Sequence, residues 1–265
     1  MNAASPLLAR VNALLERRQP REAAALLSEA VRAGDPHAAA TLAEWRIAGA
    51  VIPRDLSQAR VLLVQAADGG IAGAGLLLAS FLAAEVGGEA DRPGAMAWLA
   101  RLAGRAPAAQ AQLSLLAAMD LDTEGNPRTT PVQEPVRTAP HIAVSRAFLN
   151  DAECAYLIGA GQPWLRPSVV VDPASGQMIP HPVRRSHGMM FGVHDEDVVV
   201  NAINRRIAAL SGTRFAQGAP LQLLRYGPGE EYRPHFDTLP NEENQRIVTV
   251  ILYLGDGYDG GETRF

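Results

Sequence analysis

The sequence predicts an α+β protein in two successive parts, an N-terminal solenoid of helix pairs and a C-terminal half built round a β-sheet. Three observations carry this. The first 120 or so residues are rich in Ala and Leu at helical spacing with almost no β-branched runs, and they repeat with a period of 36. A Pro-rich stretch of low apolar content follows. Beyond it, short apolar segments alternate with Gly, Pro and Asn turns.

Within residues 1–120, a shift of 36 places Ala38 on Ala74, Leu42 on Leu78, Ala43 on Ala79, Trp45 on Phe81, Asp55 on Asp91 and Ala59 on Ala95. The same shift takes Leu26, Leu27 and Ala30 onto Leu62, Leu63 and Ala66, and then onto Trp98, Leu99 and Leu102. Such a period marks stacked helix pairs, each too small to bury its apolar face alone, with Trp45, Phe81 and Trp98 expected in the core. The unit "GAVIPRDLSQARVLLVQAADGG", Gly49 to Gly70, resembles the Sel1-like repeats, relatives of the tetratricopeptide repeat. That resemblance implies a concave surface suited to a peptide or protein partner.

Residues 121–140, within "DLDTEGNPRTTPVQEPVRTAPH", read as a linker. Residues 141–265 form the second domain. There "HIAV" reads as a strand, and Asn150 or Asp151 can cap the helix that follows. "VVVNAINRRIAALSG" reads as a second helix closed by Gly212, and "LQLLRY" and "RIVTVILYL" read as strands.

Composition narrows the function classes. The formal net charge of −4 gives no basic surface for nucleic acid or an anionic membrane. No segment reads as a signal peptide or membrane span, so a cytoplasmic location is expected. The single cysteine, Cys154, excludes an internal disulfide or an all-Cys metal site. There is no lysine among the 24 basic residues; with the Ala richness this suggests a GC-rich bacterial genome.

The chemistry lies in "YRPHFDTL". His235 and Asp237 share one face of an extended segment, and an imidazole nitrogen beside a carboxylate oxygen can clamp a divalent metal. With a second histidine they would complete the two-histidine, one-carboxylate triad of non-haem Fe(II) oxygenases. "RYGPGEEYRPHFD", "RIVTVILYL" and "GGETRF", with "FLNDAECAYLI" and "RRS" (Arg184 to Ser186) upstream, resemble the prolyl 4-hydroxylase group of 2-oxoglutarate- and Fe(II)-dependent dioxygenases.

The resemblance implies a double-stranded β-helix (jelly roll), with His235 and Asp237 as catalytic iron ligands. It implies cosubstrate-binding roles for Tyr226, Thr249 and Tyr253, the last two facing into the barrel and Tyr253 on the far carboxylate of 2-oxoglutarate. Arg185 and Ser186 match a pair near the substrate mouth, while Tyr232 is read as a structural β residue. The implied reaction consumes 2-oxoglutarate and O2, releases succinate and CO2, and hydroxylates a C–H bond, with ascorbate rescuing over-oxidised iron. A peptidyl proline delivered by the helical repeats is the expected substrate.

In this family a second iron histidine and a basic residue for the cosubstrate follow "GGET" by some tens of residues. The sequence stops at Phe265. The expectation is therefore a truncated domain with an open barrel, inactive as a 265-residue chain; His181, His187 and His194 are the alternative third ligands. The rival expectation is a non-catalytic Sel1-like scaffold carrying a degenerate dioxygenase remnant.

Overall fold

The computed structural model describes residues 6–171, 175, 177–180, 183–238, 243 and 245–265. The chain folds into two compact units, one reaching to Gly125 and including Glu196–Asn201, the other comprising Asn126–Asp195 and Ala202–Phe265.

The first unit contains seven helices in its N-terminal span: α1 (Pro6–Glu16), α2 (Pro20–Arg32), α3 (Pro36–Ala48), α4 (Leu56–Asp68), α5 (Ala72–Ala83), α6 (Arg92–Leu102) and α7 (Pro107–Ala118). Helices this short are marginal alone, so each depends on packing against its chain neighbours. The period of 36 is visible in space. α3 and α5 begin 36 residues apart, as do α4 and α6, and Ala23, Ala59 and Ala95 are all buried, as are Leu27, Leu63 and Leu99. The caps repeat as well: the Asp55 carboxylate accepts from Gln58 N at 2.9 Å and the Asp91 carboxylate from Gly94 N at 2.9 Å. Of the three expected core aromatics, Phe81 is fully buried. Trp45 and Trp98 are half-buried, with the Arg101 guanidinium 4.5 Å over the Trp98 ring.

The second unit combines helices with short antiparallel strands, an α+β layout. β1 (Glu134–Thr138) pairs with β2 (His141–Val144), from Glu134 opposite Val144 to Thr138 opposite His141. Part of the segment read as linker is thus a strand. Its proline is tolerated because a two-stranded ribbon consists only of edges. β4 (Val169–Val171) and β5 (Met178–Pro180) pair antiparallel. The sheet that matters for the site has the order β3 (Arg166–Pro167), β6 (His187–Met190), β7 (Gln222–Arg225), all antiparallel. The longer helices here are α8 (Asp151–Gly161) and α9 (Val198–Ser211), the first turn of α9 being shared with the other unit. Asn150 caps α8 in a reciprocal box with Glu153, and Gly212 ends α9 at φ +66°.

Among the described residues, "RIVTVILYL" forms no strand ladder. Ile247 and Tyr253 stand in solvent at 82% and 57% exposure, while Val250, Leu252 and Leu254 are only half-buried. A β-segment is held by cross-strand hydrogen bonds and side-chain pairs, and without them an apolar alternation creates no buried face. The jelly roll expected from the resemblance is not seen among the described residues, whose sheets have two or three strands.

Glu153 joins α8 to α9. Arg206 donates to both of its carboxylate oxygens, at 2.8 and 2.9 Å, and also to Phe148 O at 2.9 Å. Both side chains are largely buried. Removing one partner leaves the other charge uncompensated, so Glu153→Ala should destabilise the second unit by about 3–5 kcal/mol. Denaturant unfolding should show Glu153→Ala/Arg206→Met losing less than the sum of the two single substitutions; additive losses would mean that the pair is not coupled.

Candidate functional site

The site begins with a short backbone ladder. Arg184 lies opposite Tyr232 in an antiparallel bridge, with Arg185 N donating to Glu231 O at 2.9 Å and Arg233 N to Val183 O at 3.0 Å. The same strand continues as β6 and pairs His187 with Arg225 of β7. The register therefore slips between the two pairings, and "YGPGE", Tyr226 to Glu230, is extruded as a wide bulge. Gly229, at φ +77°, takes the left-handed conformation the bulge needs, and Glu230 closes it by accepting from Gly227 N at 2.7 Å.

Each residue of "RRS" braces a different part of this bulge. Arg184, half-buried, lies over the Tyr232 ring at 5.5 Å, a cation–π contact of the order of 1 kcal/mol. Arg185 donates to Gly229 O at 3.0 Å and to Glu231 at 3.2 Å. The hydrogen bond from Arg233, aided by the nearby Arg185, holds the Glu231 carboxyl below its ordinary range. Ser186, buried, shares a 2.8 Å hydrogen bond with Ser168 and lies beside the Tyr226 phenol. These roles were missed in the sequence, because the bulge that brings them together depends on how distant segments register.

The ladder delivers the chain to His235 and Asp237. His235 Nδ1 lies 2.8 Å from Arg233 O. A carbonyl only accepts, so Nδ1 carries a proton, and Nε2 is the ring nitrogen turned towards Asp237. That nitrogen is 3.2 Å from Asp237 Oδ1. Thr249 Oγ1 donates to the other carboxylate oxygen, Oδ2, at 2.5 Å, a short charge-assisted bond. Two lone-pair atoms this close repel unless a proton or a cation lies between them. Their spacing matches adjacent ligands about 2.1 Å from one metal ion at roughly a right angle. A proton-bearing ring nitrogen bound to a carbonyl is the usual partner arrangement of a ligating histidine.

His235, Asp237 and Thr249 are thus brought together. Tyr253 is engaged elsewhere, its hydroxyl 2.6 Å from Thr263 Oγ1, and both Thr249 and Tyr253 are exposed rather than facing a barrel interior. Tyr226 sits on the bulge against Ser186. Among the described residues no group of three or more His, Cys, Asp or Glu side chains forms a metal cluster. His187 lies instead 3.6 Å from Glu230, and His181 lies outside the described residues. Nor is any described helix long and apolar enough to cross a membrane.

Burial pushes the Tyr226 phenol above its ordinary value of 10.0, with Ser186 and Arg184 partly opposing the shift. A raised pKa means that its contribution to stability is complete below pH about 10 and is lost as pH rises through the folded-state value. Tyrosinate absorbance should include a late-ionising component from Tyr226. Ser186→Ala should move it later still, and Tyr226→Phe should abolish it; an unchanged titration in both variants would refute the assignment.

Residues 221–265 match the family model of the 2OG-Fe(II) oxygenase superfamily. Three Arabidopsis thaliana proteins give the measure of similarity. Prolyl 4-hydroxylase 1 is 39% identical over 139 residues, which cover 50% of this chain and 49% of that protein. Prolyl 4-hydroxylase 5 is 38% identical over 149 residues, covering 54% and 50%. Probable prolyl 4-hydroxylase 10 is 37% identical over 131 residues, covering 48% and 45%. The chain spans about half the length of these relatives. The segment from Leu221 to Phe265 thus matches the 2OG-Fe(II) oxygenase superfamily, and about half of the chain is similar to prolyl 4-hydroxylases.

Proposed function

We propose that residues 141–265 belong to a 2-oxoglutarate- and Fe(II)-dependent dioxygenase domain that hydroxylates a peptidyl proline. The observation that carries this reading is the His235–Asp237 pair, with Nε2 and Oδ1 3.2 Å apart, the imidazole tautomer set by Arg233 O and the second carboxylate oxygen held by Thr249. The pair fits two of the three protein positions of a facial triad. The described residues bring no third ligand to it.

When bound, iron with 2-oxoglutarate and O2 supplies the oxidising chemistry, yielding succinate and CO2, with ascorbate keeping the metal ferrous. The chain's own residues prepare the place. The Arg233 carbonyl keeps the proton on Nδ1, and the Thr249 hydroxyl turns Oδ1 of Asp237 towards the imidazole. The Tyr226 phenol is a hydrogen-bond donor for a carboxylate of the cosubstrate. Tyr253 is assigned to the distal carboxylate, its hydroxyl already paired with Thr263.

The fold proposed for this domain is a double-stranded β-helix, in which "RIVTVILYL" becomes a paired strand and turns Thr249 and Tyr253 inward. The buried repeat of residues 1–120 supports a Sel1-like solenoid that presents the peptide substrate.

The test is 2-oxoglutarate consumption by the protein isolated from its source, with Fe(II) and ascorbate. Succinate should form, and His235→Ala should abolish it. Thr249→Val, which leaves both ligands in place, should lower turnover about 10- to 100-fold. Iron-dependent turnover that survives His235→Ala would overturn the reading.

A further inference from the structure

Tyr232 takes no part in the chemistry proposed so far, yet its ring lies against the histidine at the centre of it. The two ring centroids are 3.5 Å apart with 14° between the planes, and the Arg184 guanidinium lies over the Tyr232 ring. We propose that Tyr232, backed by Arg184, is a positioning residue that fixes the plane of the His235 imidazole so that Nε2 meets Asp237 Oδ1. The proposal rests on the reading of His235 as a metal ligand.

The need for such a device is physical. Rotation of a histidine ring about its Cβ–Cγ bond is soft and broadly two-fold. The hydrogen bond to Arg233 O decides which nitrogen carries the proton, but one hydrogen bond leaves the ring free to hinge about it. The backbone at His235 belongs to no helix or strand. Tyr232, by contrast, is clamped on both sides, by Arg185 N on Glu231 O and by Arg233 N on Val183 O. It is the last bridged residue before His235, and its ring carries that rigidity three residues forward.

The chemistry of the stack agrees with this role. Two electron-rich rings avoid a parallel face-to-face arrangement, because their quadrupoles repel. Here a cation draws on the Tyr232 ring, and the imidazole is polarised through its Nδ1–H bond to a carbonyl. An imidazole that also donates its Nε2 lone pair to a metal is poorer still in electrons. The stack is therefore stabilised in the state that needs alignment most.

Proton and nitrogen NMR of His235 tests this without turnover. In the metal-free wild-type protein, the His235 ring protons should be shifted upfield by the stacked phenol, and the neutral ring should show a single Nδ1–H tautomer. Tyr232→Phe should preserve both signatures. Tyr232→Ala should lose the upfield shift, average the tautomers and weaken anaerobic Fe(II) binding about tenfold. Arg184→Gln, which leaves the Tyr232 side chain in place, should move the same resonances part of the way. Unshifted His235 protons in the wild type overturn the proposal even if Tyr232→Ala fails to fold. So does a Tyr232→Ala protein with unchanged tautomer and Fe(II) affinity. An intact stack with Fe(II) binding indifferent to His235→Ala would instead sink the metal reading beneath the proposal, leaving the stack as packing.

Discussion

The 3.2 Å approach of His235 Nε2 to Asp237 Oδ1 is the constraint round which the C-terminal site is organised. Side chains relax away from such a contact unless a positive charge between them makes it favourable. Each atom that fixes the pair acts from the side away from the contact. The Arg233 carbonyl holds Nδ1, Thr249 holds Oδ2, and Tyr232 covers a face of the imidazole. These contacts pre-align the two side chains, which would reduce the ordering cost of any ligand that they share.

The alignment is transmitted through a single extended segment. Residues 183–190 pair with β3, with β7 and, across the bulge, with Glu231 to Arg233. One strand thus sets the height of the bulge, the place of Tyr226 and the exit direction of the chain towards His235. The charges reinforce the same geometry, with Arg185 and Arg233 both on Glu231. Exposed pairs of this kind contribute little singly, but here they share one carboxylate and fix its orientation.

Much of this was legible in the sequence, and the exceptions have physical causes. The period of 36 reads directly as helix pairs because helix packing depends on which residues recur on one face, and Ala59 with Ala95 or Leu63 with Leu99 recur by identity. The Asn150 cap, the Gly212 stop and the strand at "LQLLRY" are local signals and were readable for that reason. That His235 and Asp237 lie side by side was legible from their spacing. "RIVTVILYL" misled because alternation reports what a strand needs from its partners and says nothing of whether they are present. The roles of Arg184, Ser186 and Tyr232 were hidden because they depend on a register slip between segments some forty residues apart.

The central claim is that His235 and Asp237 attract a divalent metal. It is tested most directly by titrating Mn(II) into the isotopically labelled protein and mapping paramagnetic line broadening. Broadening should centre on His235 and Asp237, extend to Thr249 and Tyr232, and vanish in His235→Ala. Broadening centred on His187 and Glu230, or spread over surface carboxylates with His235 sharp, would contradict the account.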